Sequence, residues 1–284
     1  MEIAKIGVLG SGTMGGGIAQ IAAQAGFRVV LYDLEMALVE KAIGRIEASL
    51  DKSIEKGKLA RETKDEVLGR ITKSTDLYDL EDIDLAIEAI VEDLELKKKV
   101  FGQLEEICKA EAYFASNTSS MSITALAAAT KRAEKFVGMH FFNPPPLMRL
   151  VEIIRGYYTS DETVGMASTV AAKMGKVAVV VKKDSPGFIV NRIMMAQFME
   201  AIRLLEEGVA TPEDIDMAVK LGLNYPMGPF ELQDFGGLDI GYYVAASFYE
   251  EFKDVRWNPP QALKALIRAG RLGKKTGAGW YDYQ

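Results

Sequence analysis

The chain has 284 residues, 49% of them hydrophobic, enough to bury a core in one large domain or two unequal ones. A formal net charge of −6 with scattered acids leaves no broad basic field, so neither nucleic acid nor an anionic membrane surface is an expected partner. The single cysteine, Cys108, excludes an internal disulfide framework, and nowhere do the roughly 18 apolar residues of a membrane span run together.

The chain enters a strand pattern at Ile3 without a leader-like segment, so a soluble, cytoplasmic protein is expected. Residues 3–10, "IAKIGVLG", form a short aliphatic run ending in glycine. The following "SGTMGGGIAQIAAQAG" carries Met14, Ile18, Ile21 and Ala25 at helical spacing until Gly26 stops it, and "FRVVLYD" reads as a second strand. This is a β-turn-α-β unit, the building block of a parallel, doubly wound sheet. Residues 34–70 are charged and helix-periodic with a break near Gly57, which predicts a helix, a turn and a second helix projecting as an arm. Further strands are expected in "RITKS", "DLAIEAI", "AYFAS", "KFVGMHFF", "MRLVEII" and "VAVVV", with helices in "LELKKKVFGQLEEICKA", "SITALAAAT" and "TVGMASTVAAKMG". Cys108 falls in one of these helices and reads as a small buried hydrophobe.

The texture changes at "KKDSPGFIVNR". Beyond it nothing resembles a strand, Ile189, Ile193, Met194, Phe198, Ile202 and Leu205 mark one apolar helical face, and Thr211 caps a helix opening on Pro212. The expected fold is therefore α/β: a Rossmann-like, mainly parallel, doubly wound domain over 1–185 with its helical arm at about 34–70, then an all-α domain over 186–284.

Gly10-Ser11-Gly12-Thr13-Met14-Gly15 fits G-x-G-x-x-G, follows a strand, opens a helix, and is trailed by Asp33 at the end of the next strand. Gly10 permits the tight turn, Gly12 lets a pyrophosphate approach the backbone, and Gly15 lets helix and strand pack closely. Asp33 can accept from both ribose hydroxyls and its charge would repel a 2′-phosphate, so NAD is favoured over NADP.

A dinucleotide site implies hydride transfer, and oxidising an alcohol also requires a group that removes the hydroxyl proton. His140 is the only histidine in the chain. Glu152 lies inside the apolar "LMRLVEII", where a buried carboxylate needs a partner, and an imidazole N–H is one. The three prolines at 144–146 are expected to hold the chain extended and stiff after the histidine strand.

The motifs "GSGTMGGGIAQ", "EAIVEDLELKK", "SNTSS", "HFFNPPP", "DSPGFIVNR", "YPMGPFEL" and "GKKTGAGWY" together resemble the 3-hydroxyacyl-CoA dehydrogenases over essentially the whole chain, most closely the stand-alone bacterial 3-hydroxybutyryl-CoA dehydrogenases. The resemblance implies a catalytic pair at His140 and Glu152, with Ser119 and Asn191 positioning the substrate. It implies cofactor contacts at Gly10, Gly12, Thr13, Met14, Gly15, Asp33, Glu92, Lys97, Asn117, Ser119, Asn143 and Lys275. It also implies that Ser49 and Lys56, seven residues apart on the arm, hold the coenzyme A part of the substrate, and that the protein is a homodimer through its C-terminal domain; no metal is implied. Ser119 could instead cap the helix in "SITALAAA", and Glu88, four residues before Glu92, reads as a buried structural acid without assigned chemistry.

Two other readings stand beside this one. A related dehydrogenase of a free 3-hydroxy acid or sugar acid has no need of Ser49 and Lys56. A non-catalytic dinucleotide-binding protein would keep the glycine turn and Asp33 but has no use for His140 beside Glu152.

Overall fold

A computed structural model describes residues 2–283. Eight strands form one sheet in the order β3-β2-β1-β4-β5-β6-β7-β8: β1 Lys5–Leu9, β2 Arg28–Tyr32, β3 Ile71–Ser74, β4 Leu85–Glu88, β5 Tyr113–Ser116, β6 Phe136–Phe141, β7 Leu150–Ile154 and β8 Val177–Val181. All neighbours pair parallel except β6 and β7, which are antiparallel. The central strands are buried on both faces, which is why they read as continuous apolar runs. One apolar cluster on each face fills the space beneath the covering helices.

Helix α1 (Thr13–Gln24) crosses from β1 to β2 and ends where Gly26 takes φ +89°. The arm is α2 (Met36–Glu55) and α3 (Glu62–Gly69), separated at Gly57, whose φ is +64°. Helices α4 (Leu94–Ile107), α5 (Ile123–Ala127) and α6 (Asp161–Lys173) complete the α/β part. Cys108 follows α4, buried, its Sγ donating to the Leu80 carbonyl and its thiol pushed up to about 11 by burial.

The chain divides into two compact units between Phe188 and Ile189. The second is helical: α7 (Val190–Glu206), α8 (Pro212–Leu223), α9 (Pro229–Gly236), α10 (Leu238–Phe252) and α11 (Gln261–Arg268), around its own core containing Phe198, Ile202, Phe230, Phe248 and Trp257. Its α8 starts as the sequence predicts, with the Thr211 hydroxyl accepting from the Asp214 amide ahead of Pro212. Among the described residues no helix is long and apolar enough to cross a membrane.

Candidate active site

Strand order reverses between β1 and β4, and the crevice beyond their carboxyl ends is where open α/β sheets take ligands. The glycine turn and Asp33 follow β1 and β2, and Glu92 and Asn117 follow β4 and β5, whereas His140 and Glu152 lie within β6 and β7.

At β1, Gly10 takes φ +91°, and a Cβ on it would meet the Ala89 carbonyl oxygen at 2.6 Å, so glycine is required on both counts. A Cβ on Gly15 would lie 1.7 Å from the Gly10 carbonyl oxygen, whereas one on Gly12 would meet nothing within 4 Å, which leaves the backbone there open to a ligand. Thr13 opens α1, so its free amides face that opening. Asp33 follows β2; its Oδ2 accepts from the Ser11 amide at 2.7 Å and hydroxyl at 2.6 Å, and its Oδ1 from the Leu34 amide at 2.8 Å. A carboxylate has about four acceptor sites, so Oδ1 retains one for a ribose hydroxyl. Gly10, Gly12 and Asp33 line a cavity of about 630 Å³ together with Leu38, Lys41 and Arg45 from α2. The Arg45 guanidinium donates to the Ser11 carbonyl at 2.6 Å and braces the turn from that side. An open glycine, exposed helix amides and an anchored acid at the next strand end fit a bound dinucleotide.

A second cavity of about 280 Å³ is lined by Met14, Glu92, Asn117, Ser119, His140 and Asn143, with Lys97 behind Glu92. His140 and Glu152 are directly opposed in the β6–β7 register, and Nδ1 of the imidazole lies 2.7 Å from Oε2 of the carboxylate. An ionised carboxylate only accepts, so Nδ1 carries the proton of this bond and Nε2 is the nitrogen left for other chemistry. His140 is 5% exposed and Glu152 fully buried, so both charges would act in a poorly solvated setting. The rings of Phe142 and Phe188 pack at 4.5 and 5.6 Å from the imidazole; Phe188 does so with φ +49°, a left-handed backbone uncommon for a bulky residue. Asn117, after β5, accepts the Phe141 amide on its Oδ1 at 2.9 Å and so ties the end of the histidine strand to its neighbour.

Glu92 accepts the Ser119 amide at 2.9 Å and the Thr118 hydroxyl at 2.7 Å on Oε1, and pairs with Lys97 at 3.0 Å through Oε2. Burial pushes its carboxyl up, but Lys97 and these two donors outweigh that and hold it below the usual carboxylate range. Ser119 does not cap the following helix; Ser122 does, accepting the Ala125 amide at 3.1 Å. Nor do the three prolines run extended: the chain turns over them, the Pro144 carbonyl accepting from the amides of both Leu147 and Met148, because Lys176 ties down the Pro145 and Met148 carbonyls and the Pro145 ring packs on α1.

Ser49 and Lys56 lie on the arm, half-buried and exposed respectively, with Lys56 as the residue capping α2. Its amide still bonds the Lys52 carbonyl, so the seven-residue spacing stays helical and both face one side. Asn191 is the second residue of α7, and Lys275 pairs with Asp239 at 2.6 Å; both belong to the second unit.

The family model described as "3-hydroxyacyl-CoA dehydrogenase, NAD binding domain" matches residues 5–185, and that described as "3-hydroxyacyl-CoA dehydrogenase, C-terminal domain" matches residues 187–283. The chain belongs to the 3-hydroxyacyl-CoA dehydrogenase family. It is 50% identical to the probable 3-hydroxybutyryl-CoA dehydrogenase of Deinococcus radiodurans over 98% of this chain and 100% of that one. It is 44% identical to the 3-hydroxybutyryl-CoA dehydrogenase of Clostridioides difficile over 98% of this chain and 99% of that one. The crystal structure of (S)-3-hydroxybutyryl-CoA dehydrogenase from Ralstonia eutropha superposes with a TM-score of 0.97 at 46% identity, covering 100% of both chains.

For a member of the 3-hydroxyacyl-CoA dehydrogenase family, two features of this wall are not foreseen from sequence: the burial of Lys97, itself an expected cofactor contact, and the part played by Ser116. Lys97, of a type that normally lies at the surface, is 1% exposed between two carboxylates, and Ser116 donates to the deeper of them, Glu88, at 2.6 Å. Glu88 itself is buried as its sequence reads, by the same signal that marks Glu152: a carboxylate inside an apolar strand.

Proposed function

We propose that this protein catalyses the NAD-dependent, reversible oxidation of an (S)-3-hydroxyacyl-CoA, with 3-hydroxybutyryl-CoA as the substrate, to the 3-oxoacyl-CoA. The observation that carries this reading is the 2.7 Å bond between His140 Nδ1 and Glu152 Oε2 at the wall of the cavity that Asn117 and Ser119 also line.

In the oxidising direction neutral His140 accepts the hydroxyl proton on Nε2, and in reduction the imidazolium returns it to the forming alkoxide. Glu152 holds the ring in the tautomer that leaves Nε2 free and stabilises the cation once the proton has arrived. Ser119 and Asn191 hydrogen-bond the reacting oxygen and hold the carbon for hydride loss without competing for the proton. NAD, when bound, supplies the nicotinamide carbon that takes up the hydride. Gly10, Gly12, Thr13, Met14, Gly15 and Asp33 hold its adenosine and pyrophosphate, while Glu92, Lys97, Asn117, Asn143 and Lys275 border the ring end. The negative charge of Asp33 sets NAD before NADP. Ser49 and Lys56 take the coenzyme A handle, with the lysine ammonium attracting a phosphate. The second unit also forms a homodimer, a reading supported by exposed apolar side chains such as Leu221, Phe235 and Tyr243.

The test is steady-state NADH oxidation with acetoacetyl-CoA, with longer 3-oxoacyl-CoAs and with free acetoacetate, each repeated with NADPH. The proposal expects turnover that requires the coenzyme A handle and prefers NADH; equal turnover of the free acid would contradict it.

A further inference from the structure

Glu88 closes β4 with none of its surface exposed. Its Oε1 accepts from Lys97 Nζ at 2.5 Å and from the Ile90 amide at 2.7 Å, and its Oε2 from the Ser116 hydroxyl at 2.6 Å. Lys97 reaches on to Glu92, whose other oxygen receives the Ser119 amide. A continuous line of contacts thus runs from the middle of the sheet to the wall of the cavity that holds His140. Burying an ammonium between carboxylates gains little stability by itself, since apolar side chains of the same size would fill the space without desolvating three ions. The cluster has a second property: two carboxylates and one ammonium leave one net negative charge.

Hydride passes only between carbons in contact, so the ring of the cofactor must share the His140 cavity. That ring is cationic when oxidised and neutral when reduced. We propose, resting on the dehydrogenase reading above, that Glu88 is a positioning residue of the reaction. Through Lys97 it fixes Glu92 and the Ser119 amide, and with them it maintains a single negative charge that favours the oxidised over the reduced ring.

The variant E88Q keeps the size of the side chain and one acceptor oxygen, for Lys97 and the Ile90 amide, turns the other into an amide donor that the rotatable Ser116 hydroxyl can accept from, and removes the charge. Calorimetric titration of the protein alone with NAD and with NADH reads the effect without turnover. The ratio of the two dissociation constants is expected to move toward NADH by roughly five- to tenfold, the scale of one charge acting a few ångström away in a partly solvated site. Equal weakening of both ligands, or none, in a variant that still melts cooperatively overturns the proposal. Should E88Q not fold because Lys97 has lost its deeper partner, E88Q/K97M buries no unmatched ion and leaves Glu92 as the single negative charge. There the ratio is expected within about twofold of wild type while kcat falls at least about tenfold, because Ser119 has lost its support. A wild-type kcat or a displaced ratio in that double variant overturns the proposal. A wild-type protein that binds NAD but turns over no acyl-CoA defeats the dehydrogenase reading itself, an outcome distinct from an unshifted ratio.

Discussion

His140 and Glu152 face each other on one rung of the β6–β7 ladder, Nδ1 to Oε2 at 2.7 Å, although twelve residues separate them along the chain. Both side chains project from strands whose register is fixed by their buried faces, so the pair is held by the sheet rather than by a loop. A one-residue slip would turn the carboxylate to the opposite face and leave the imidazole without it.

The turn beside that pair is wedged against α1. A Cβ on Gly17 would lie 2.8 Å from the Pro145 ring, so G17A is expected to destabilise the protein by about 1–3 kcal/mol through overpacking. The double variant G17A/P145A should recover most of that loss. Thermal melts of the two single variants and the double close the cycle, and additive losses would show that the two residues do not press on each other.

Asp33 is pre-anchored by Ser11, and Lys41 and Arg45 line the same cavity. Replacing Asp33 by Asn removes the repulsion toward a 2′-phosphate and weakens the ribose bonds. NADH efficiency should fall roughly ten- to hundredfold, the cost of a charged hydrogen bond, while NADPH efficiency holds or rises. Comparing kcat/KM for the two cofactors checks this; a parallel fall in both would mean that Asp33 does not discriminate.

Asp84 predicts a pH dependence of stability in the first unit. Burial pushes its carboxyl up, but the Lys109 ammonium at 2.5 Å and the amides of Ala4 and Lys5 at 2.7 and 2.8 Å outweigh it, and the group sits below the ordinary aspartate value. Its contribution is therefore complete above the unfolded-chain pKa of about 3.9 and is lost as pH falls through the lower folded value. D84N should lower the melting temperature by several degrees at neutral pH, the scale of about 1–2 kcal/mol for a broken half-buried ion pair with its charged hydrogen bonds, and by progressively less as pH drops. A difference that does not shrink toward acid would contradict this account.

Much of the architecture is legible from period and punctuation. The β1-turn-α1-β2 unit, the arm broken at Gly57 and the Thr211-Pro212 helix start are local signals, and each element forms where its residues predict. What the sequence hides is decided at long range. The prolines turn instead of running extended because Lys176, in another part of the chain, holds the Pro145 and Met148 carbonyls. Lys97 is buried only because Glu88 and Glu92 converge on it from strand β4 and the loop after it. Ser119 and Ser122 are equally good caps by composition, and the backbone selects Ser122. The His140–Glu152 distance is likewise a matter of register, which residue types alone do not specify.

The most direct test of the central claim is kcat for E152Q in the reduction of acetoacetyl-CoA, with NADH affinity measured on the same preparation. The substitution keeps the side chain's size but removes the charge that supports the imidazolium, so kcat should fall by roughly 10²–10⁴ with little change in NADH binding. A kcat within about twofold of wild type would contradict the assignment of this carboxylate to the proton-carrying histidine.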